Sequence, residues 1–233
     1  MNMKDLMTLE QAQPEVQRKF MAGVYLRMTI ALLITAAVAW YASSSDQIMG
    51  ILFSHRGAPF YALIVTELVL VIALSAFIHK INSLAALFFF VLYSVVNGLT
   101  FSVIFLVYEL GSVFHIFLIS ALMFGAMSVY GAFTKSDLTS AGRYLMMALI
   151  GLIIAGFVNL LLKSSMLDWL TSVIGVGIFI GLTAYDTQRL MKIGVKNDGS
   201  EKFQKMAVIG ALELYLDFIN IFLKMLRLFG KRK

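Results

Sequence analysis

The chain has no cysteine and few charged residues. Asp, Glu, Lys and Arg make up 14% of its 233 residues, whereas they account for about 25% of a typical soluble protein. The absence of cysteine excludes disulfides and thiolate chemistry. The low charge content argues against a disordered chain and, despite the net charge of +6, against a nucleic-acid-binding domain.

Hydrophobic residues take up most of the remaining composition. They make up 60% of the chain, roughly 140 positions, and the mean hydropathy is +0.87. A soluble domain of this size cannot bury so many apolar side chains, but seven transmembrane helices of about 20 residues each would use almost all of them. We therefore predict an all-α polytopic membrane protein without a sizeable extramembrane domain.

Seven apolar runs of membrane length follow one another along the chain, separated by short polar breaks. We number them spans 1 to 7, at 24–42, 60–78, 84–108, 113–133, 144–162, 167–185 and 206–228. Residues 1–23 then form an N-terminal segment, 24–228 a single membrane domain and 229–233 a basic C-terminal tail. A long polar lead precedes span 1, so we interpret this span as a retained helix and not as a cleaved signal.

Lys and Arg are unevenly divided between the two sides of the predicted membrane domain. More of them fall on the side of the N-terminus, in residues 1–23 and in the loops after spans 2, 4 and 6. The positive-inside rule therefore predicts a cytoplasmic N-terminus. The basic tail would then face outside, so either the tail is an exception to the rule or span 7 does not cross fully. We predict a full crossing.

Span 7 carries a stripe of polar side chains. Its members are Glu213, Asp217, Asn220, Lys224 and Arg227. Spacings of three and four residues place them on one helical face. An ionisable residue in the hydrocarbon region costs about 2.5 to 3.5 kcal/mol on insertion scales, so it normally faces other helices. We predict that the stripe faces a polar seam or a water-filled path. In a second interpretation its charges pair with each other, for example Asp217 with Lys224, and only hold the bundle together.

A further acid, Asp186, lies at the end of span 6. Because spans 6 and 7 are antiparallel neighbours, Asp186 and Asp217 can meet if span 7 is tilted or enters the membrane late. Two carboxylates within a few Å cannot both ionise cheaply, so they share a proton and titrate as a pair. Such a pair would bind Ca²⁺ weakly and transiently, as ion permeation requires.

At these residues the chain resembles the Bax inhibitor-1 family, the transmembrane Bax-inhibitor-motif proteins. The resemblance covers nearly all of the chain and rests on Gly181-Leu182-Thr183-Ala184-Tyr185-Asp186-Thr187-Gln188 and on Leu214-Tyr215-Leu216-Asp217-Phe218-Ile219-Asn220, followed by Leu226-Arg227. The stretch Thr134-Lys135-Ser136-Asp137-Leu138 is similar to that of the short proteobacterial inner-membrane members.

The resemblance implies a seven-helix fold in which span 7 is central and wrapped by spans 1 to 6. It also implies a calcium leak in a bacterial inner membrane, gated by a pH-sensing pair at Asp186 and Asp217, with Ca²⁺ as the permeant ion and no cofactor. The acid of span 2 is Glu67. Glu213 and Lys224 are additions to the usual pattern, and Lys224 could repel a cation in the path.

The sequence departs from the family near the end of span 2. Family members of known mechanism have an arginine there that bonds the two aspartates, whereas this chain has His79 and Lys80. Either one of these cations substitutes for the arginine, or the aspartate pair lacks this clamp.

Two other functions compete with the leak. Intramembrane aspartyl proteases also use two carboxylates that share a proton, but they carry Gly-x-Gly-Asp and Pro-Ala-Leu motifs, and the only prolines here are Pro14 and Pro59. The three histidines lack metal-ligand spacing, so we expect no enzyme. The chain could instead bind a partner, such as a membrane quality-control protease or a stress-pathway protein. It would do so through residues 1–19 and the basic stretch 189–205, segments that could also contact anionic lipid.

Overall fold

The computed structural model describes residues 3–233, with side chains from residue 14 onward. This part of the chain contains eight helices. They are α1 (Met3–Ser43), α2 (Asp46–Leu52), α3 (Ser54–Phe77), α4 (Ser83–Val107), α5 (Leu110–Phe133), α6 (Thr139–Leu162), α7 (Ser165–Gly194) and α8 (Glu201–Phe229). All of them except α2 contain a stretch long and apolar enough to cross a membrane. The seven-span, all-α fold predicted from the sequence is confirmed.

Several helix ends differ from the predicted spans. Helix α1 already begins at Met3, inside the predicted N-terminal segment 1–23, although the side chains of residues 1–13 lie outside the described residues. Helix α7 continues past residue 185 to Gly194, and α8 begins at Glu201, before residue 206. Hydropathy detects only the apolar part of each helix, so the polar helical ends were assigned to loops. The loop between α7 and α8 is therefore only 195–200.

The break between spans 1 and 2 contains α2, which the sequence analysis did not predict. The Ser45 side chain caps this helix by accepting a hydrogen bond from the Ile48 amide. The backbone then turns through three consecutive positive φ angles, at His55, Arg56 and Gly57. Pro59 follows in the first regular turn of α3, where its missing N–H costs no helical hydrogen bond.

The first of two compact units consists of Met1–Glu109, Gly194–Leu212 and Lys233. Within it, α1 packs along α4, which also packs against α3. Gly98 of α4 allows this close approach, because a Cβ atom there would lie 2.8 Å from the Thr35 carbonyl oxygen. The Thr35 hydroxyl donates a hydrogen bond of 2.9 Å to the Ser94 carbonyl oxygen across the same contact.

The second unit consists of Leu110–Ile193 and Glu213–Arg232, so it contains α5, α6, nearly all of α7 and the second half of α8. Phe218 of α8 packs edge-on against Phe117 and Phe124 of α5, with ring centroids 5.3 and 5.8 Å apart. Helix α8 is the most buried of the seven candidate spans: 67% of its most apolar stretch is buried, against at most 39% in the others. The central place of the last helix stays an expectation of the family resemblance.

Candidate functional site

The polar stripe of span 7 lies on the part of α8 that belongs to the second unit. Helix α7 runs antiparallel beside it. The contacts show this direction, because Asp168 near the start of α7 meets Arg227 near the end of α8, while Arg189 near the end of α7 meets Glu213. We call the line of polar contacts between these two helices the α7–α8 seam. Asp186, Glu213 and Arg227 take part in these contacts, and Asp217, Asn220 and Lys224 lie on the same stripe of α8.

Three carboxylates cluster around one guanidinium at one end of the seam. Arg189 Nη2 lies 3.5 Å from Oδ1 of Asp186, three residues earlier on α7. The same nitrogen donates a hydrogen bond to Oε2 of Glu213 on α8. The third carboxylate, that of Asp217, lies within electrostatic range of Asp186, Glu213 and Arg189. The structure thus brings Asp186 and Asp217 into one cluster.

Asp217 is the most deeply buried acid of the cluster, with 5% of its surface exposed. Its Oδ2 atom receives no hydrogen bond from any described residue. The neighbouring Thr183 hydroxyl donates its hydrogen to the Phe179 carbonyl oxygen at 2.8 Å. A buried carboxylate oxygen without a donor makes the anion costly.

The other residues of the α7 motif fix the position of this helix. A Cβ atom at Gly131 of α5 would lie 2.2 Å from the Ala184 carbonyl oxygen, so the two backbones touch there. Gly142 of α6 leaves room for the Tyr185 ring, since a Cβ atom at this glycine would lie 2.4 Å from the ring. Contacts with α5 and α6 thus hold the stretch of α7 that carries Asp186.

Gln188 ties the same end of α7 to the loop between α5 and α6. Its side chain accepts a hydrogen bond from the Leu138 amide and donates one to the Ser136 carbonyl oxygen. Lys192, one turn further on, donates to Asp137 at 2.7 Å. Hydrogen bonds from Lys192 and Thr139 lower the pKa of Asp137 to about 2. This loop lies outside the apolar stretches, and the contacts anchor it beside the acid cluster.

The opposite end of the seam carries mainly positive charge. Arg227 is bonded to Asp168 of α7. Lys224 lies one turn earlier, and its stem passes Gly175 of α7. Asn220, between the two ends, donates to the Leu216 carbonyl oxygen of its own helix. The ion pairs of Glu213 and Arg227 thus go to α7 and not to other members of the stripe. The purely structural role that the second interpretation gives these charges stays a prediction.

Glu67 lies in the first unit, on α3. It is beside Thr100 of α4, with Tyr93 also within electrostatic range. Asn97 donates to the Tyr93 hydroxyl at 3.2 Å. The oxygens Glu67 Oε1 and Asn97 Oδ1 accept no hydrogen bond within the described part of the chain. Glu67 is therefore part of a polar cluster of the first unit.

His79 and Lys80, the two cations considered as a clamp, are exposed at the end of α3 in the first unit. The Lys80 ammonium lies over the Phe77 ring. The cation observed on the acids is Arg189, which the sequence analysis had placed in a basic loop. Because α7 extends to Gly194, Arg189 lies on the same helix as Asp186, three residues later. Residues at this spacing are neighbours on a helix surface, and this is the signal by which Arg189 could have been found.

Among the residues that the structure describes, no three His, Asp or Glu side chains are grouped closely enough to hold a metal ion. Hard cations such as Ca²⁺ prefer six to eight oxygen ligands. The carboxylate oxygens of Asp186 and Asp217 are fewer than such a shell requires.

Comparisons with known proteins identify the family of the chain. The family model described as "Inhibitor of apoptosis-promoting Bax1" matches residues 17–233. The chain is 49% identical to the inner membrane protein YbhL of Escherichia coli strain K12 over 216 residues, which cover 92% of each chain. It is 44% identical over 228 residues to an uncharacterized protein of Borreliella burgdorferi, covering 97% of this chain and 98% of that one.

The family model therefore covers both helices that form the α7–α8 seam. A further relative, an uncharacterized protein of Deinococcus radiodurans, is 38% identical over 231 residues, which are 99% of this chain. Neither the family description nor the name of the Escherichia coli relative states an enzymatic activity. The chain belongs to the Bax inhibitor-1 family of integral membrane proteins.

Proposed function

We propose that this protein is a pH-sensitive calcium leak channel of a bacterial inner membrane, with its N-terminus in the cytoplasm and with Asp186 and Asp217 as its pH sensor. The observation that carries the proposal is the buried Oδ2 of Asp217, which lacks a hydrogen-bond donor inside a candidate membrane span. Ionisable groups at such positions commonly mark ion paths and proton relays.

The charge balance of the cluster explains how protons would control a cation. Asp186, Glu213 and Asp217 face a single guanidinium, that of Arg189. When all three acids are ionised, the surplus negative charge attracts a cation and drives the carboxylates apart. A proton shared between Asp186 and Asp217 lowers this surplus by one charge and allows a hydrogen bond between them. Protons and Ca²⁺ therefore compete for the same oxygens.

Transport in liposomes tests the proposal directly. We expect purified protein to release Ca²⁺ at a rate that changes with pH, because the charge of the cluster changes. Asp217→Asn and Asp186→Asn should each alter the flux and flatten its pH dependence, because an amide cannot titrate. Asp46→Asn is the matched control, since it makes the same chemical change at an exposed acid in the first turn of α2.

Absence of flux from folded protein, or an unchanged pH profile in both seam variants, would contradict the leak. Either result would favour the second function, that of a partner for a membrane protease or a stress-pathway protein. Fewer basic side chains of the stretch 189–205 are available to such a partner than the sequence suggests. Within the stretch 189–205, Arg189 and Lys192 are already engaged in ion pairs with Glu213 and Asp137.

A further inference from the structure

The two ends of the α7–α8 seam carry opposite net charge. At one end three carboxylates, those of Asp186, Glu213 and Asp217, face the guanidinium of Arg189. At the other end two cations, Lys224 and Arg227, face the single carboxylate of Asp168. A cation that moves along the seam therefore leaves an attractive region and meets a repulsive one.

Lys224 is the surplus cation at the repulsive end. Arg227 is bonded to Asp168, whereas Lys224 forms no salt bridge with any described residue. The charged groups that face it are Arg227 on its own helix and Asp168 on α7. The Lys224 charge is therefore the less compensated of the two.

Gly175 holds the lysine stem in the seam. A Cβ atom at this position would lie 3.1 Å from Lys224 Cε and 3.3 Å from Cδ, closer than most side-chain contacts. The glycine thus leaves a groove on α7 for the four-carbon stem. Lys224 is only partly exposed. Both helices therefore determine where Lys224 lies: α8 carries the residue and α7 provides the groove for its stem.

We propose that Lys224 determines the cation selectivity of the path, as a fixed positive charge that lowers the passage of divalent ions more than that of monovalent ions. The inference rests on the proposed leak function. The Coulomb energy between the lysine and a passing ion is proportional to the charge of that ion. The barrier that Lys224 adds for Ca²⁺ is thus twice the barrier that it adds for K⁺.

This proportionality gives a quantitative signature. Because rates depend exponentially on the barrier, removal of the charge should raise Ca²⁺ flux by about the square of the factor by which it raises K⁺ flux. A threefold rise for K⁺ would accompany a rise of about ninefold for Ca²⁺. A variant that merely widened the path would not follow this relation.

The experiment measures Ca²⁺ and K⁺ flux in liposomes that contain wild type, Lys224→Gln, Lys224→Met or Lys224→Arg. We expect both neutral variants to raise the two fluxes with the squared relation, and Lys224→Arg to behave like wild type because it keeps the charge. Methionine retains an apolar stem for the Gly175 groove, so it tests the charge even if glutamine disturbs packing. Unchanged fluxes in both neutral variants, or equal factors for the two ions, would overturn the proposal.

Asp217→Asn in the same assay separates this inference from the leak proposal. If Asp217→Asn alters the flux and the neutral Lys224 variants do not, the role of Lys224 is overturned and the leak stands. If the neutral variants show the squared relation and Asp217→Asn changes nothing, the role of Lys224 stands and the aspartate sensor is overturned. Absence of flux in every protein would overturn both.

Discussion

Arg189 joins two carboxylates that belong to two different helices, Asp186 on α7 and Glu213 on α8. Its side chain is 38% exposed, so water weakens these ion pairs only in part. Loss of the guanidinium would leave two neighbouring acids that repel each other beside Asp217. Arg189 thus combines a structural contact with control over the charge of the seam.

We expect Arg189→Ala to lower the free energy of unfolding in detergent by about 1 to 2 kcal/mol, because Glu213 loses its partner. Arg189→Lys, which keeps the charge, should lose less. The double variant Arg189→Ala with Glu213→Ala should be more stable than the sum of the single changes implies, since neither charge then remains unpaired. Thermal unfolding of wild type, Arg189→Ala, Glu213→Ala and the double variant measures this coupling. Strictly additive effects would show that the observed bond contributes no stability.

Sequence reasoning identified Asp186 and Asp217 as a pair but missed Arg189. The acids were visible because ionisable residues interrupt apolar runs. Arg189 lay just beyond the predicted end of span 6 and was counted with the loop that sets the topology. A basic residue at a membrane boundary usually is a topology signal, so only the observed length of α7 shows that it lies on the same helix as Asp186.

At the scale of elements, glycines decide how closely α7 approaches its neighbours. Gly131 of α5 touches the backbone of Ala184, two residues before Asp186. The backbone of Ala184 cannot rotate away as a flexible side chain does, so a larger residue at position 131 would force the helices apart. Gly125, on the same helix, has no atom within 4 Å of the place where its Cβ would lie. The two glycines therefore form a matched pair for experiment.

We expect Gly131→Ala to destabilise the folded protein by about 1 to 3 kcal/mol, because the added methyl group overlaps with the Ala184 carbonyl oxygen. Gly125→Ala should be neutral or stabilise the protein by up to about 1 kcal/mol, because alanine has the higher helix propensity. Thermal unfolding in detergent compares the two variants. Equal stabilities would mean that α5 and α7 do not pack as closely as described.

The centres of the helices could be predicted from sequence, while their ends could not. About 20 apolar residues are a physical requirement of the bilayer, so seven such runs fix the number and order of the spans. The final turns of α7 and the first turns of α8 are polar, and their helical state depends on contacts such as that between Ser83 and Glu201. Contacts between residues so far apart in sequence are not visible in a hydropathy pattern.

At the scale of the whole molecule, the odd number of candidate spans predicts that the two chain ends lie on opposite sides of a membrane. The C-terminal tail follows the end of α8. The Lys231 amide donates to the Ser112 hydroxyl at the start of α5, and the Lys233 amide donates to the Val107 carbonyl oxygen at the end of α4. The tail is thus located at the turn between α4 and α5. The full crossing by α8 stays a prediction.

We expect a reporter that is active only outside the cytoplasm to be active when fused after Lys233 and inactive when fused before Met1. The reason is that seven crossings separate the two ends. Enzymatic assays of the two fusions in whole cells measure the topology, and a fusion in the 134–138 loop provides a cytoplasmic control. Activity at neither end or at both ends would show that one of the seven candidate spans does not cross.

The burial of α8 has a consequence for biosynthesis. This helix carries the polar stripe, is synthesised after the other six candidate spans, and is the most buried of the seven. A helix with a polar stripe gains little free energy by inserting alone among the acyl chains. The helices synthesised before it already provide protein surfaces against which it can pack. Its integration therefore depends on prior assembly, and a defect in an early helix would first appear as failed insertion of the last one.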